Sequence, residues 1–263
     1  MTVNFDDTID RPSEQTLQLF WKEKADLKSM SFLRRPGISD GRIRTHIIPQ
    51  MGVQPYNHNH YCDQKFYIHD TTQGTIQNPY GQRMMRVSED FMIAMLGGLE
   101  DEVGVNAARE IMYKSGYQWG MEDMRGFLRR QQAEFEAELD KQRVDFLLET
   151  WWWPLNVEGW GAWRFDFRQK DKGLLYVDLY ESAVAQSVGD IGAVVCYFYA
   201  GLFAAVFSVL ARRSLGSVEM QCYSTGEDHC RFLISDYEKV DAAAFWRSEG
   251  ATAADIIRKV SQM

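Results

Sequence analysis

Apolar and polar positions divide the chain into blocks of different period. Residues 1–12 are polar and acidic and predict no element. A stretch over 13–29 places Leu17, Phe20, Trp21 and Leu27 near one helical face, with Ser13 positioned to cap it. A strand is expected at 42–48. Residues 49–80 are rich in Asn, Gln, Tyr and Pro and predict an extended arm or a hairpin with long loops. From residue 80 the pattern changes. A short strand at 83–87 precedes Ser88-Glu89-Asp90, a helix-start signal with acids in the first turn, and a helix to about 99. Further helices are expected at 105–115 and 117–130, punctuated by Gly116 and Gly126, and at 131–150, which Trp151-Trp152-Trp153-Pro154 should end. Alternating runs at 163–167 and 174–180 predict a hairpin turning at Asp171-Lys172-Gly173. A helix over 191–212 follows, then a second hairpin at 217–223 and 231–235, then short helices at 242–246 and 252–260.

The block 191–211 is uncharged for 21 residues, enough to span a bilayer. Its wealth of Ala and Gly suits equally a helix packed on all sides within a protein, and no membrane insertion is expected. With 45% hydrophobic residues in 263, the chain can hold one large domain plus an extension. The divisions expected are an arm or dimerisation segment at 1–79, a main domain at 80–236 and C-terminal helices at 237–263. The net charge of −8 argues against nucleic-acid binding, which needs a basic face. MTVNFDDTID has no apolar core, so no signal peptide is expected. Four cysteines in a chain of this length make no disulfide framework, and a reducing cytoplasm is the expected compartment.

Three of those cysteines fall in one set with an acid: Cys196, Glu219, Cys222 and Cys230. Three thiolates and a carboxylate complete a tetrahedral shell for a borderline divalent metal, most often zinc. All four positions would be filled by protein, which reads as a structural site. Glu219 and Cys222 lie three apart on one strand, so strict alternation would put them on opposite faces. A bulge or the strand's end must turn Cys222 inward, and Gly226 would supply a positive φ in the return turn. The same residues admit a plainer reading, ordinary buried thiols. His58, His60 and Cys62 form a second, weaker metal set. His229 could be a substitute ligand or a donor to one, or a solvated turn residue.

The stretch ESAVAQSVGDIGAVVCYFYAGLFAAVFSVLARRSLGSVEMQCYSTGEDHCRF resembles the 4-vinyl-reductase domain. That domain shows a Cys opening a Gly-containing apolar helix, then Glu-x-x-Cys, then Gly-Asp/Glu-x-x-Cys-x-Phe, and every element is present. The resemblance covers about residues 80–236, with YGQRMMRV and Gly116-Tyr117-x-Trp119-Gly120 fitting the earlier half. It implies structural zinc on Cys196, Glu219, Cys222 and Cys230. It implies an α/β (α+β) fold, an antiparallel sheet packed with helices around an apolar cavity, like that of a vesicle-tethering subunit with a lipid channel. Relatives bind small hydrophobic molecules in phenol-responsive regulators or are linked to tetrapyrrole pigment maturation. The phenol sensors hold the phenol hydroxyl with a Trp and a His upstream of the first zinc Cys. LLYVDLYESAVAQSVGDIG here has neither, so phenol itself is not the expected ligand. WWWPLNVEGWGAW is similar to stand-alone members of the family in photosynthetic bacteria.

The function implied is binding of a hydrophobic small molecule or tetrapyrrole-type pigment precursor, as sensor, carrier or assembly factor and as a homodimer. The alternatives are a tetrapyrrole vinyl reductase or its accessory subunit, and an interaction scaffold without a small ligand. No nucleotide-binding glycine motif and no flavin or iron–sulfur signature supports the reductase. Five tryptophans within 13 residues, Trp151 to Trp163, suit a stacking wall or a core and interface. The expected cavity wall is Tyr197, Phe198 and Phe203, with the small Ala204 leaving room and Trp163 and Phe165 closing it from the sheet.

Overall fold

A computed structural model describes residues 67–77, 82–135 and 141–263. The expected helix at 13–29, the strand at 42–48 and the His58, His60, Cys62 set lie outside them. The architecture is mixed helix and antiparallel sheet. A small sheet, β1 (Ile68–Asp70), β2 (Thr75–Gln77) and β3 (Arg83–Met84), comes first and spans position 80. Its first turn is an Asx turn, in which Asp70 Oδ1 accepts from the N–H groups of Thr72 at 2.9 Å and Gln73 at 3.1 Å. Then come α1 (Asp90–Val103), α2 (Val105–Phe135) and α3 (Val144–Val157). The main sheet is built from β4 (Ala162–Asp166), β5 (Leu175–Tyr180), β6 (Gly216–Gln221) and β7 (Cys230–Ser235), in the order β4-β5-β7-β6 and antiparallel throughout. Between β5 and β6 run α4 (Ala183–Val188) and α5 (Tyr197–Ala211), and α6 (Tyr237–Ser248) and α7 (Ala253–Val260) close the chain.

Both faces of the main sheet are covered, so its strands carry apolar residues on each. Val177, Leu179, Phe232 and Ile234 face the large core shared with α5, α2 and α3. Leu174, Tyr176, Val218, Met220 and Leu233 face a second core under α6 and α7, with Val240, Ala243, Ile256 and Val260. Helix α5 is apolar all round because it lies between the sheet and α2, and residues 199–210 are all buried. Among the described residues, no helix is long and apolar enough to cross a membrane.

The helix ends depart from expectation in three places. Gly116 does not punctuate: α2 runs unbroken for 31 residues through Gly116, Gly120 and Gly126. Trp151 to Pro154 do not end a helix but lie inside α3, where Trp151 and Trp152 are buried. Residues 191–196 are not helical. They form a loop pinned by the N–H groups of Ile191 and Gly192 on the Ser224 carbonyl, and α5 starts only after Cys196, its N-cap.

Gly116 in α2 and Gly201 in α5 have a steric cause. A Cβ on Gly116 would lie 2.0 Å from the Phe198 carbonyl oxygen, and one on Gly201 would lie 1.9 Å from that of Tyr113. Even a close C···O contact needs about 3.3 Å. Each glycine sits one turn after the carbonyl that the other approaches, so α2 and α5 touch backbone to backbone in a reciprocal pair. Glycine normally costs a helix interior about 0.5–1 kcal/mol relative to alanine. That cost is accepted here because no other residue fits. Gly201→Ala should therefore lower unfolding free energy by about 3 kcal/mol or more through overpacking. Gly97→Ala, in α1 where an added Cβ meets nothing within 4 Å, should raise it by up to about 1 kcal/mol. Urea unfolding of both variants checks the opposite signs.

Candidate functional site

The tail of the main sheet brings four donors together. Cys196 arrives at the start of α5, Glu219 on β6, Cys222 just past β6 and Cys230 as the first residue of β7. One ligand atom from each lies within 4.8 Å of all the others, and all four residues are buried. The register between β6 and β7 shifts between Glu219 and Gln221, and β6 ends at Gln221, so both routes expected to turn Cys222 to the side of Glu219 are present. A 3-10 turn, Tyr223–Thr225, then ends at Gly226 with φ 85°, the left-handed residue of the return.

The three sulfurs are 4.0 Å (Cys196–Cys222), 3.7 Å (Cys196–Cys230) and 3.5 Å (Cys222–Cys230) apart. A disulfide needs about 2.05 Å. Tetrahedral thiolates at about 2.3 Å from one zinc would stand about 3.8 Å apart. Glu219 Oε2 accepts from the Cys196 N–H at 2.9 Å, which orients the carboxylate, while its Oε1 is buried with no partner. A buried acceptor left open costs about 1–3 kcal/mol, and a cation among the sulfurs would satisfy it. Ser224 Oγ lies 2.9 Å from Cys222 Sγ, and Ser182 Oγ lies 3.4 Å from Cys196 Sγ. The Cys196 and Cys230 thiols both bond to Cys222 and hold its pKa down at about 2. Burial pushes Cys196 and Glu219 up. The set thus carries one thiolate easily and cannot ionise fully in its dry pocket without a cation. The donors fit a structural metal.

His229 stands apart. Its Nε2 faces Asp178 at 3.5 Å, its Nδ1 faces Asp228 at 2.5 Å, and the ring stacks on Tyr180 with centroids 5.1 Å apart. It belongs to the polar face where Arg231 holds Asp178 with two bonds of 2.6 and 2.8 Å.

The aromatic residues expected to wall a cavity divide. Phe203, Ala204, Trp163 and Phe165 are core, none more than 3% exposed. Trp163 stacks on Phe203 at 6.1 Å and on Trp152 at 4.9 Å. Tyr197 is half-buried under the Arg109 guanidinium, 5.3 Å from its ring centre. Phe198 does face open space, a cleft of ≈ 890 Å³ between the first turn of α5 and the segment 82–92. Its aromatic side is Trp119, Trp160, Phe198 and Tyr199, with Trp119 and Trp160 stacked at 5.2 Å. Facing them are Met84, Met85 and Met92. Glu158 supplies a polar group there. It accepts from the Tyr67 hydroxyl at 2.5 Å, and burial raises its pKa. No local signal assigned Glu158 or residues 82–92 to a cleft, because the cleft joins segments distant in sequence.

Parts of the chain are similar to known families and structures. Residues 175–236 match the 4-vinyl-reductase domain, and residues 68–145 match a family described as activator of aromatic catabolism. Residues 175–236, which hold the four donors, are thus similar to that domain. The phenol-responsive sensory domain of the transcription activator PoxR, solved with phenol, superposes with a TM-score of 0.53 at 20% identity. That match covers 70% of this chain and 91% of the sensory domain, and it shows a shared fold. A vinyl-4-reductase family protein of Methanocaldococcus jannaschii aligns at a TM-score of 0.36 and 14% identity, over 55% of this chain and 76% of its own. An uncharacterized protein of the same organism is 32% identical over 60 residues, 23% of this chain. The matched part is 32% of that relative's length.

Behind the cleft, Asp123 on α2 accepts from Trp151 Nε1 at 2.7 Å. Burial raises its pKa above the ordinary 3.8, against that bond and nearby Arg130. The folded chain therefore binds this proton more tightly than the unfolded one. The resulting stability is present below the ordinary value and is lost as pH rises through the raised one. Asp123→Asn keeps an acceptor for Trp151 and removes the titration. Its stability relative to the parent should climb as pH rises from about 4 to about 7, measured by urea unfolding at each pH.

Proposed function

We propose that this 4-vinyl-reductase-domain protein is stapled by one structural zinc ion and binds a hydrophobic small molecule as a sensor, carrier or assembly factor. The observation that carries the reading is the first stretch of α5. Cys196, one of the four clustered donors, is followed two and three residues later by Phe198 and Tyr199, which form a wall of the cleft. A metal on Cys196, Glu219, Cys222 and Cys230 would clamp the start of α5 to the β6–β7 hairpin and so hold that wall in place. With four protein ligands it would supply cross-linking. The phenol sensory domain with the same fold supports a ligand-sensing role. A tetrapyrrole-type pigment precursor is the finer class within this proposal, and the size of the cleft supports a ligand larger than phenol. The homodimer, with residues 1–79 as its arm, belongs to the same reading, and light scattering of the full chain and of one lacking the arm tests it.

Elemental analysis of the purified protein should find one zinc per chain. Cys230→Ala and Glu219→Gln should each lower metal content, and Cys230→Ala should lower Tm sharply, because metal affinity is folding free energy. A protein that melts at the same temperature with and without chelator would sink the staple. Turnover of a vinyl-bearing tetrapyrrole with NADPH by the isolated protein would replace binding with reduction.

A further inference from the structure

The charge around the cleft narrows the class of ligand, given that the domain binds a hydrophobic small molecule. Arg83 on β3 and Arg86 just beyond it both line the cleft, and both are exposed. Neither forms an ion pair among the described residues. Arg86 is close enough to Tyr67 to act electrostatically on its hydroxyl, which places a cation beside the polar corner formed by Tyr67 and Glu158. Two acids also line the cleft, Glu89 and Glu158. Glu158 is engaged by the Tyr67 hydroxyl. Glu89 is the N-cap of α1, where the helix's own partial positive charge lies nearest and offsets it. With Glu158 engaged and Glu89 at a helix start, Arg83 and Arg86 are the lining residues placed to meet an anion.

Size narrows it further. An apolar cavity of about 150 Å³ already holds benzene. The cleft, at ≈ 890 Å³, is several times larger and lies within the range of sites for drug-sized ligands. Its wall is a run of touching rings, with Trp119 and Phe198 at 5.7 Å and Trp160 and Phe198 at 6.0 Å. Such a wall favours an extended flat π-system over a flexible chain.

We propose that the cleft binds a flat conjugated molecule of more than one ring that carries an acidic group, with its rings on Trp160 and Phe198 and its anion at Arg83 and Arg86. The test uses two fluorescent probes on the full-length protein. 8-Anilinonaphthalene-1-sulfonate has both rings and an anion, and N-phenyl-1-naphthylamine has the same rings without the sulfonate. The anionic probe should bind about five- to tenfold tighter, the range of a charge-assisted contact in a partly open site. Arg83→Gln with Arg86→Gln should erase that preference and leave the neutral probe within about twofold. Phe198→Ala should weaken both probes, which ties the signal to this cleft. Equal binding of the two probes, an anionic affinity untouched by the arginine changes, or indifference to Phe198→Ala would overturn the inference while hydrophobic binding stands. Binding of neither probe would overturn hydrophobic binding as well.

Discussion

The arrangement depends on one contact, the backbone-to-backbone approach of α2 and α5 at Gly116 and Gly201. It brings the two helices closer than any side chain would allow. That closeness sets the depth of α5 over the sheet, so Phe203 and Phe207 reach the aromatic core while the start of the helix stays near the β6–β7 hairpin. It also sets Trp119, one turn beyond Gly116 on α2, against Phe198 at the start of α5. The core, the donor cluster and the cleft wall are all referred to this crossing.

The donor cluster acts at the other end of the same helix. Cys196 caps α5, and Glu219, Cys222 and Cys230 belong to the hairpin, so a cation among them would add a cross-link where Glu219 already bonds to the Cys196 N–H. The local backbone is shaped for this. The bulge after Glu219, the 3-10 turn and the left-handed Gly226 each give up regular strand geometry to aim two sulfurs at one point. Burial explains why the four groups would suit a cation: a dry pocket resists four negative charges, and a divalent cation would remove that resistance.

The tryptophans illustrate how one composition serves two purposes. Trp151, Trp152 and Trp163 are interior, with their rings in edge or stacked contact. Trp160, a few residues before Trp163, turns instead to the cleft and stacks on Trp119. The chain between them carries Gly161 at φ 122°, and this reversal sends neighbouring rings to different sides.

Much was decided by residue type and spacing alone. The alternation of β4, β5, β6 and β7, the four clustered donors, the break in regular strand geometry that Cys222 needs and the left-handed Gly226 all follow from local chemistry, which acts over a few residues. Tertiary structure decided the rest. Glycines that read as helix breaks are a helix contact, because their benefit lies in a partner about 85 residues away rather than in their own turn. An apolar block that reads as one helix begins with a loop, because Ser224 on the hairpin holds Ile191 and Gly192. Of the cleft the sequence marked Phe198 but not the polar corner, which joins Tyr67 to Glu158 across 91 residues. Periodicity reports which face of an element is buried; it carries no information about which distant surface will cover that face, or leave it open.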